Sequence, residues 1–398
     1  MAPMNLKNLA LNSLRGSSAS RSAVRLRSET AEISLRSPYR WHSDDSVALD
    51  RLLQAGDLDS YGPTVRAWES DFTTWLGWGH AIATSSGTSA LTVALLALGL
   101  APGDLVAVPS LTFCATAQAV RCAGGTPLFV DVDPETLVMT AATLGPALRF
   151  ARLRAVIAVH LFGNMADVAS LRVLCDKRAV LLVEDAAQSL GSTLVLGTAD
   201  QARRVAAFSF NSGKQLPLGE GGMLVYGDAV SRDNARPKRH CGLKEVRGDW
   251  IATSEAGNYL MSALAAALGR SLLHRVNDWN ATRCALKHRL DTLVRSTTGF
   301  RPQETTRSCT QVPHRWAFVC PSARHACRVL RISSELGVGI RRLYRPVHHH
   351  PAFRHAPCAA PLPNTDMLAA CLLCLELDLK EPDVQFDAVE QVMRVAKT

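Results

Sequence analysis

The chain has 398 residues, of which 47% are hydrophobic and 20% charged, with a formal net charge of +9. That is more than one hydrophobic core usually covers and has the composition of an ordinary soluble protein, so a large domain with a smaller companion is expected. Residues 1–40 hold seven Lys/Arg against two Glu, and no apolar run reaches the length of a membrane span, which leaves no basis for a nucleic-acid or membrane partner.

Residues 1–40 alternate Arg with Ser, carry no acid before Glu29 and lack the apolar core of a secretory signal. A disordered basic leader is expected there, with an organellar transit peptide as the alternative. Between residues 80 and 228, β-like runs alternate with helical ones. Strands are predicted at 80–84, 105–109, 127–132, 156–161, 180–184, 205–210 and 222–226, and helices at 89–98, 116–123, 141–150 and 168–177. Turn signals such as Pro102-Gly103-Asp104 and Gly124-Gly125 separate them. Short apolar runs of this kind fit strands covered on both faces, which predicts an α/β fold with a mostly parallel sheet flanked by helices.

The pattern changes after residue 230. A helix is predicted over 259–295, then a weaker strand at 316–320, an amphipathic stretch at 323–336, a Pro/His-rich loop at 345–363 and a terminal helix at 386–396. The expected division is a large domain over 41–275 and a smaller C-terminal α+β domain over 276–398. Eleven irregularly spaced cysteines argue for reduced thiols and a cytoplasmic setting, and Cys371 and Cys374 read as core thiols. His348-His349-His350, with His355 and Cys358 nearby, invites a metal reading. Adjacent side chains are expected to diverge, and no second ligand pair has zinc-like spacing, so no metal is expected.

The chemistry gathers at predicted strand ends. Ser85-Ser86-Gly87-Thr88-Ser89 lies between a strand and a helix. Its N–H groups and hydroxyls suit a phosphate; the alternative is a simple helix cap at Thr88 or Ser89. Lys214 ends Phe208-Ser209-Phe210-Asn211-Ser212-Gly213-Lys214, ahead of Gly219-Glu220-Gly221-Gly222, and the acidic pair Glu184-Asp185 lies upstream. A lysine and a strand-end carboxylate in this setting are what pyridoxal phosphate (PLP) chemistry needs. The amine bonds the cofactor aldehyde, and the carboxylate keeps the pyridine nitrogen protonated. Phe113 is a core aromatic or a stacking partner for a flat ring. Gln188 and Ser209 are caps or partners for the 3-hydroxyl and the phosphate.

These segments together resemble the DegT/DnrJ/StrS aminotransferases, PLP enzymes of fold type I that aminate keto sugars and cyclitols. The resemblance runs from Trp41 to the end. It rests on Gly62-Pro63 with Trp68-Glu69, Ser86-Gly87-Thr88-Ser89-Ala90-Leu91, Thr112-Phe113, Val159-His160-Leu161-Phe162-Gly163, Glu184-Asp185-Ala186-Ala187-Gln188, the Lys214 segment, and Gly257-Asn258-Tyr259. It implies Lys214 as the covalent anchor, Asp185 on the pyridine nitrogen, Phe113 on the ring and Gln188 on the 3-hydroxyl. Gly87, Thr88 and Ser209 would take the phosphate, joined by Asn258 from a second subunit of a homodimer. By position, Tyr61, His160, Tyr344 and His348 would line the substrate pocket.

The implied reaction moves an amino group from an amino acid, glutamine or glutamate, to a sugar or cyclitol ketone, as in aminosugar and antibiotic biosynthesis. Asn211-Ser212-Gly213-Lys214 and Pro363-Asn364-Thr365-Asp366 are similar to the aromatising 3-amino-5-hydroxybenzoate synthase branch, whereas Gln188 has the sugar-aminotransferase form. Leu260 stands where the family often has Arg, and Lys214 argues against the dehydratase relatives. A non-catalytic PLP-binding partner of an oxidoreductase is the alternative of a different class.

Overall fold

The structure, a computed structural model, describes residues 42–307 and 309–397; the leader expected over 1–40 lies outside them. Seven short apolar runs form one sheet: β1 (His80–Thr84), β2 (Leu105–Pro109), β3 (Thr126–Val130), β4 (Leu153–Val159), β5 (Leu181–Asp185), β6 (Val205–Ser209) and β7 (Gly222–Tyr226). Their order is β1-β7-β6-β5-β4-β2-β3. Only the two pairings made by β7 are antiparallel, so the other six strands share one direction.

Alternation along the strands dictates the layers. In β1, Ile82 joins a cluster with Val93 and Leu95, while Ala81 and Ala83 join another with Trp68 and Phe72. The β6 residues divide the same way, Val205 and Ala207 against Ala206 and Phe208, as do Leu224 and Tyr226 against Met223 and Val225 in β7. A period of two makes both faces apolar, so both must be covered. Helices Gly87–Leu98, Ala115–Cys122 and Val168–Asp176 cover one face; Pro63–Leu76 and Ala263–Leu272 cover the other.

The C-terminal part repeats this logic on a smaller scale. Strand Arg315–Val319 lies between Arg301–Pro302 and Leu372–Glu376 in an antiparallel sheet. Trp316 and Phe318 face helices Val276–Arg295, Ala323–Glu335 and Pro382–Lys397, whereas Ala317 and Val319 face the main core. Cys371 and Cys374 are buried and free. Burial pushes the Cys374 thiol up to about 12. Among the described residues, no helix is long and apolar enough to cross a membrane.

Several boundaries differ from expectation. The helix expected over 259–295 begins only at Ala263, capped by Ser262, and a 3-10 turn at Leu273–Arg275 divides it from Val276–Arg295. Tyr259 and Leu260 are held in extended form: the Tyr259 carbonyl accepts the Ser85 N–H at 2.8 Å, and Leu260 bridges Thr84. The helix expected over 141–150 is α only at Ala141–Leu144, because Gly145-Pro146 opens a tighter turn. Two helices before β1, Ser43–Ala55 and Pro63–Leu76, escaped the sequence reading. Pro63 at the first helical position and the spacing of Val65, Trp68 and Phe72 are the signals that mark the second.

Beneath the sheet edge lies a buried ionic centre. Glu184 accepts Arg204 Nε at 2.8 Å and Nη2 at 2.7 Å, and His160 Nε2 at 3.0 Å. Burial alone would raise the Glu184 pKa, but Arg204 and His160 overcome it and hold the carboxyl well below the usual range. Arg204→Met would strand the Glu184 charge. The expected loss of stability is about 3–5 kcal/mol, read from urea unfolding, and adding Glu184→Gln should restore most of it. The sign with pH follows from the depressed value: the contribution is complete above the unfolded carboxyl value of 4.5 and is lost as pH falls below it.

Candidate active site

The C-terminal ends of the six co-directed strands meet one edge of the sheet, where α/β folds place ligands. A cleft of about 510 Å³ opens there, walled by residues that end or follow β1, β2, β5 and β6 and by the C-terminal part. Helix Gly87–Leu98 starts at this cleft. Its cap is Ser86 rather than Thr88 or Ser89: Ser86 Oγ accepts the Ser89 N–H at 3.1 Å. The first turn of a helix leaves the N–H groups of Gly87 and Thr88 without intrahelical acceptors, which suits an anion. Two glycines make the approach possible. A Cβ on Gly87 would sit 2.7 Å from Ser209 Cβ, and one on Gly222 would sit 2.2 Å from the Ser86 carbonyl oxygen. The helix start is thereby closed onto β6 and β7, beside the Ser209 hydroxyl.

Asp185 ends β5 and is nearly buried, at 6% exposure. Its Oδ2 accepts the Thr116 hydroxyl at 2.8 Å and its Oδ1 the Ala187 N–H at 3.2 Å. Gln188 is oriented by its own carbonyl, which accepts the Phe162 N–H at 3.1 Å and leaves the NH2 end for a ligand. Phe113 is 54% exposed, unusual for a large aromatic, and its ring borders the cleft.

Lys214 sits in a braced turn. Asn211 accepts the Gly213 N–H on its side chain and the Lys214 N–H on its carbonyl, and its Nδ2 donates to Glu220 at 2.7 Å. Burial pushes the Lys214 amine down to about 8; Asp185 works against this shift and Arg315 reinforces it. About a tenth of this amine is therefore unprotonated at pH 7, far more than for an ordinary lysine.

Three polar lining residues escaped the sequence reading: His314, Arg315 and Arg341. Arg315 has a legible signal, since it shares the inward face of its strand with Ala317 and Val319. Arg315 donates to the Tyr344 hydroxyl at 3.2 Å and pairs with Glu376. Tyr344 stacks on Phe162, with centroids 5.9 Å apart, and tilts against Phe113 at 6.0 Å. Burial and the neighbouring cations Lys214, Arg315 and Arg283 hold His314 well below the usual histidine range, so its imidazole is neutral.

Of the residues singled out from the sequence, Lys214, Asp185, Gly87, Thr88, Phe113, Gln188, Ser209 and Tyr344 line the cleft. Four do not. His160 is fully buried; its Nδ1 accepts the Ala166 N–H and its Nε2 is spent on Glu184, so the fold takes it away from any substrate. Tyr61 bonds His240 Nδ1 at 2.8 Å and lies under Arg239. His348 Nδ1 is 2.6 Å from Ser110 Oγ, behind the β2 wall. Asn258 is exposed, and its Oδ1 accepts the Leu260 N–H.

The DegT/DnrJ/EryC1/StrS aminotransferase family model matches residues 41–396. The chain belongs to this family. Among the family's members, the erythromycin biosynthesis sensory transduction protein EryC1 of Saccharopolyspora erythraea is 33% identical over 364 residues, which span 89% of this chain and 95% of the relative. GDP-perosamine synthase of Caulobacter vibrioides is 31% identical over 332 residues, spanning 78% and 85%. The crystal structure of 3-amino-5-hydroxybenzoic acid synthase matches with a TM-score of 0.81 at 26% identity, over 90% of this chain and 97% of that one. The α/β architecture is thus that of the PLP-dependent aminotransferases, as the resemblance implied.

The electrostatics of this DegT/DnrJ-type cleft can be read directly. In protein stripped of aldehyde ligands, labelling of Lys214 by an amine-selective reagent should rise with pH through about 8. Arg315→Met removes a neighbouring positive charge and should move that midpoint upward, as followed by peptide mass spectrometry.

Proposed function

We propose that the protein is a PLP-dependent aminotransferase that moves an amino group from an amino acid, glutamine or glutamate, to the ketone of a sugar or cyclitol in specialised metabolism. The observation that carries this reading is the placement of Lys214, with its lowered pKa, in one cleft with Asp185 and the Gly87/Thr88/Ser209 cradle. The residues fit the cofactor. The Gly87 and Gly222 approaches close the helix start onto Ser209 at the cleft, where its N–H groups suit the phosphate, and Asp185, fixed by Thr116, suits its pyridine nitrogen. Phe113 offers a face for its ring, and the Gln188 NH2 suits its 3-hydroxyl. Bound PLP would supply an electron-accepting ring that stabilises negative charge developed at the donor's α-carbon.

The chain's own groups then divide the work. Lys214 Nζ would anchor the cofactor and, once released, would take a proton from the donor's α-carbon and deliver it, across the intervening nitrogen, to the carbon that had carried the cofactor's aldehyde. Arg315 and Arg341 give the cleft a cationic side, suited to the donor's carboxylate. This supports a role that Arg would have had at position 260, where the chain carries Leu260. Gln188 favours the sugar or cyclitol reading over the aromatising branch. A ketone substrate must be formed before this step, and an oxidoreductase acting on the corresponding alcohol would be one partner that supplies it.

Lys214→Ala should abolish the visible absorbance of the lysine-bound cofactor and reduce turnover by orders of magnitude. Asp185→Asn should keep PLP bound but slow proton abstraction from the donor by orders of magnitude, measured by stopped-flow absorbance with glutamate or glutamine. Near-normal turnover in either variant would overturn the reading, and intact donor chemistry with no sugar or cyclitol ketone accepted would overturn the substrate class.

Asn258 supports a shared site. It is exposed and outside its own cleft, and the adjoining hairpin, Leu243–Val246 with Asp249–Ala252, leaves Trp250 61% and Ile251 46% exposed. A homodimer that covers these side chains and lends Asn258 to the partner's phosphate site accounts for both features. Inactive Lys214→Ala and Asn258→Asp chains, mixed and re-annealed, should then recover part of the activity, because one site of the heterodimer holds both native residues. Confirmed subunit exchange without recovery would overturn it.

A further inference from the structure

We infer that His348, His349 and Asp366 form a binding site for one divalent transition-metal ion of the zinc class, outside the catalytic cleft. Adjacent histidines were expected to diverge, but here they converge. Both belong to the 3-10 turn Val347–His349, with ring centroids 4.0 Å apart and planes tilted by 55°. Their Nε2 atoms lie 3.5 and 3.3 Å from the same Asp366 Oδ1. The three ligand atoms all fall within 4.8 Å of one another.

The two imidazole–carboxylate separations bear on two readings of the cluster. They are long for N–H···O hydrogen bonds, which centre at about 2.9–3.0 Å. They agree with the edge of a coordination tetrahedron, because ligands at about 2.0–2.1 Å from zinc stand about 3.3–3.4 Å apart. The donor set points the same way. Two imidazoles and one carboxylate suit zinc and its neighbours, whereas calcium and magnesium take shells of oxygen. His349 and Asp366 are exposed, which leaves a fourth position to water.

The surroundings provide an outer shell. His348 Nδ1 meets Ser110 Oγ at 2.6 Å, and the same oxygen accepts the His348 backbone N–H at 3.2 Å. With Nδ1 tied there, Nε2 is the nitrogen left to ligate. Asp366 stands in the first turn of helix Pro363–Cys371, which is anchored where Asp131 accepts the N–H groups of Asn364 and Thr365 at 3.0 and 2.8 Å. A bound ion would therefore clip the loop after Tyr344 to that helix. His355 takes no part, since its Nε2 contacts Arg354.

The test uses the full-length holoenzyme without an affinity tag. Cobalt(II), titrated as a zinc surrogate, should give a saturable visible band at one ion per chain, without thiolate charge-transfer absorbance. Zinc should displace it and raise the melting temperature of the wild type. His349→Leu and Asp366→Asn, each checked for native circular dichroism, should lose the band and the thermal shift, while His350→Gln should keep both. No saturable band, a thiolate-type spectrum, or equal binding by wild type and the two ligand variants would overturn the site.

Discussion

Two adjacent carboxylates at the end of β5 set the terms for the rest of the molecule. Successive side chains of a strand point to opposite faces, so Glu184 and Asp185 cannot serve the same purpose. Glu184 goes into the protein, where it is fully buried and met by Arg204 and His160. Asp185 is left facing the cleft, held by Thr116 and the Ala187 N–H. The backbone locks this division: the Asp185 carbonyl accepts the His160 N–H at 3.0 Å, and the Ala207 carbonyl accepts the Ala186 N–H at 2.8 Å. Three consecutive strands are thereby aligned at their catalytic edge, and a slip of one residue would exchange the roles of the two acids.

A second constraint is close approach. The turn after β1 can serve a phosphate only if the helix start reaches Ser209, and the missing side chains of Gly87 and Gly222 allow it. On the opposite wall, the C-terminal part contributes charge. Arg315 and Arg341 oppose Asp185 and Glu220 around Lys214, and His314 stays neutral among the cations. The cleft is therefore polarised, anionic at the end of β5 and cationic toward the small sheet. A zwitterionic ligand matches that polarity better than a neutral one does.

Local period and composition were sufficient for the seven strands and most of the helices between residues 80 and 228, for the mostly parallel sheet and for the strand-end positions of Ser209 and Asp185. Each of these follows from patterns a few residues long, which any buried β-α unit must display. Local motifs also singled out Lys214, Phe113 and Gln188, and the resemblance to the family gave each a role; all three line the cleft. The proposed boundary between 275 and 276 rests on the same kind of local change in pattern.

What remained hidden depended on residues far apart in the chain. His160 has the same sequence context whether it faces substrate or Glu184; only the register of β4 against β5 assigns it to the carboxylate. His314 and Arg315 reach Lys214 because the small sheet packs its Ala317 face onto the main core, a contact no local period encodes. The late helix start at Ala263 was set by the pairing of Tyr259 and Leu260 with Ser85 and Thr84 across the fold. His348 and His349 converge only because Ser110 and Asp366, 238 residues from His348 in the first case, lie on either side of their turn. Periodicity acts through neighbours along the chain, whereas a site is made by side chains that the chain must fold to bring within a few ångströms.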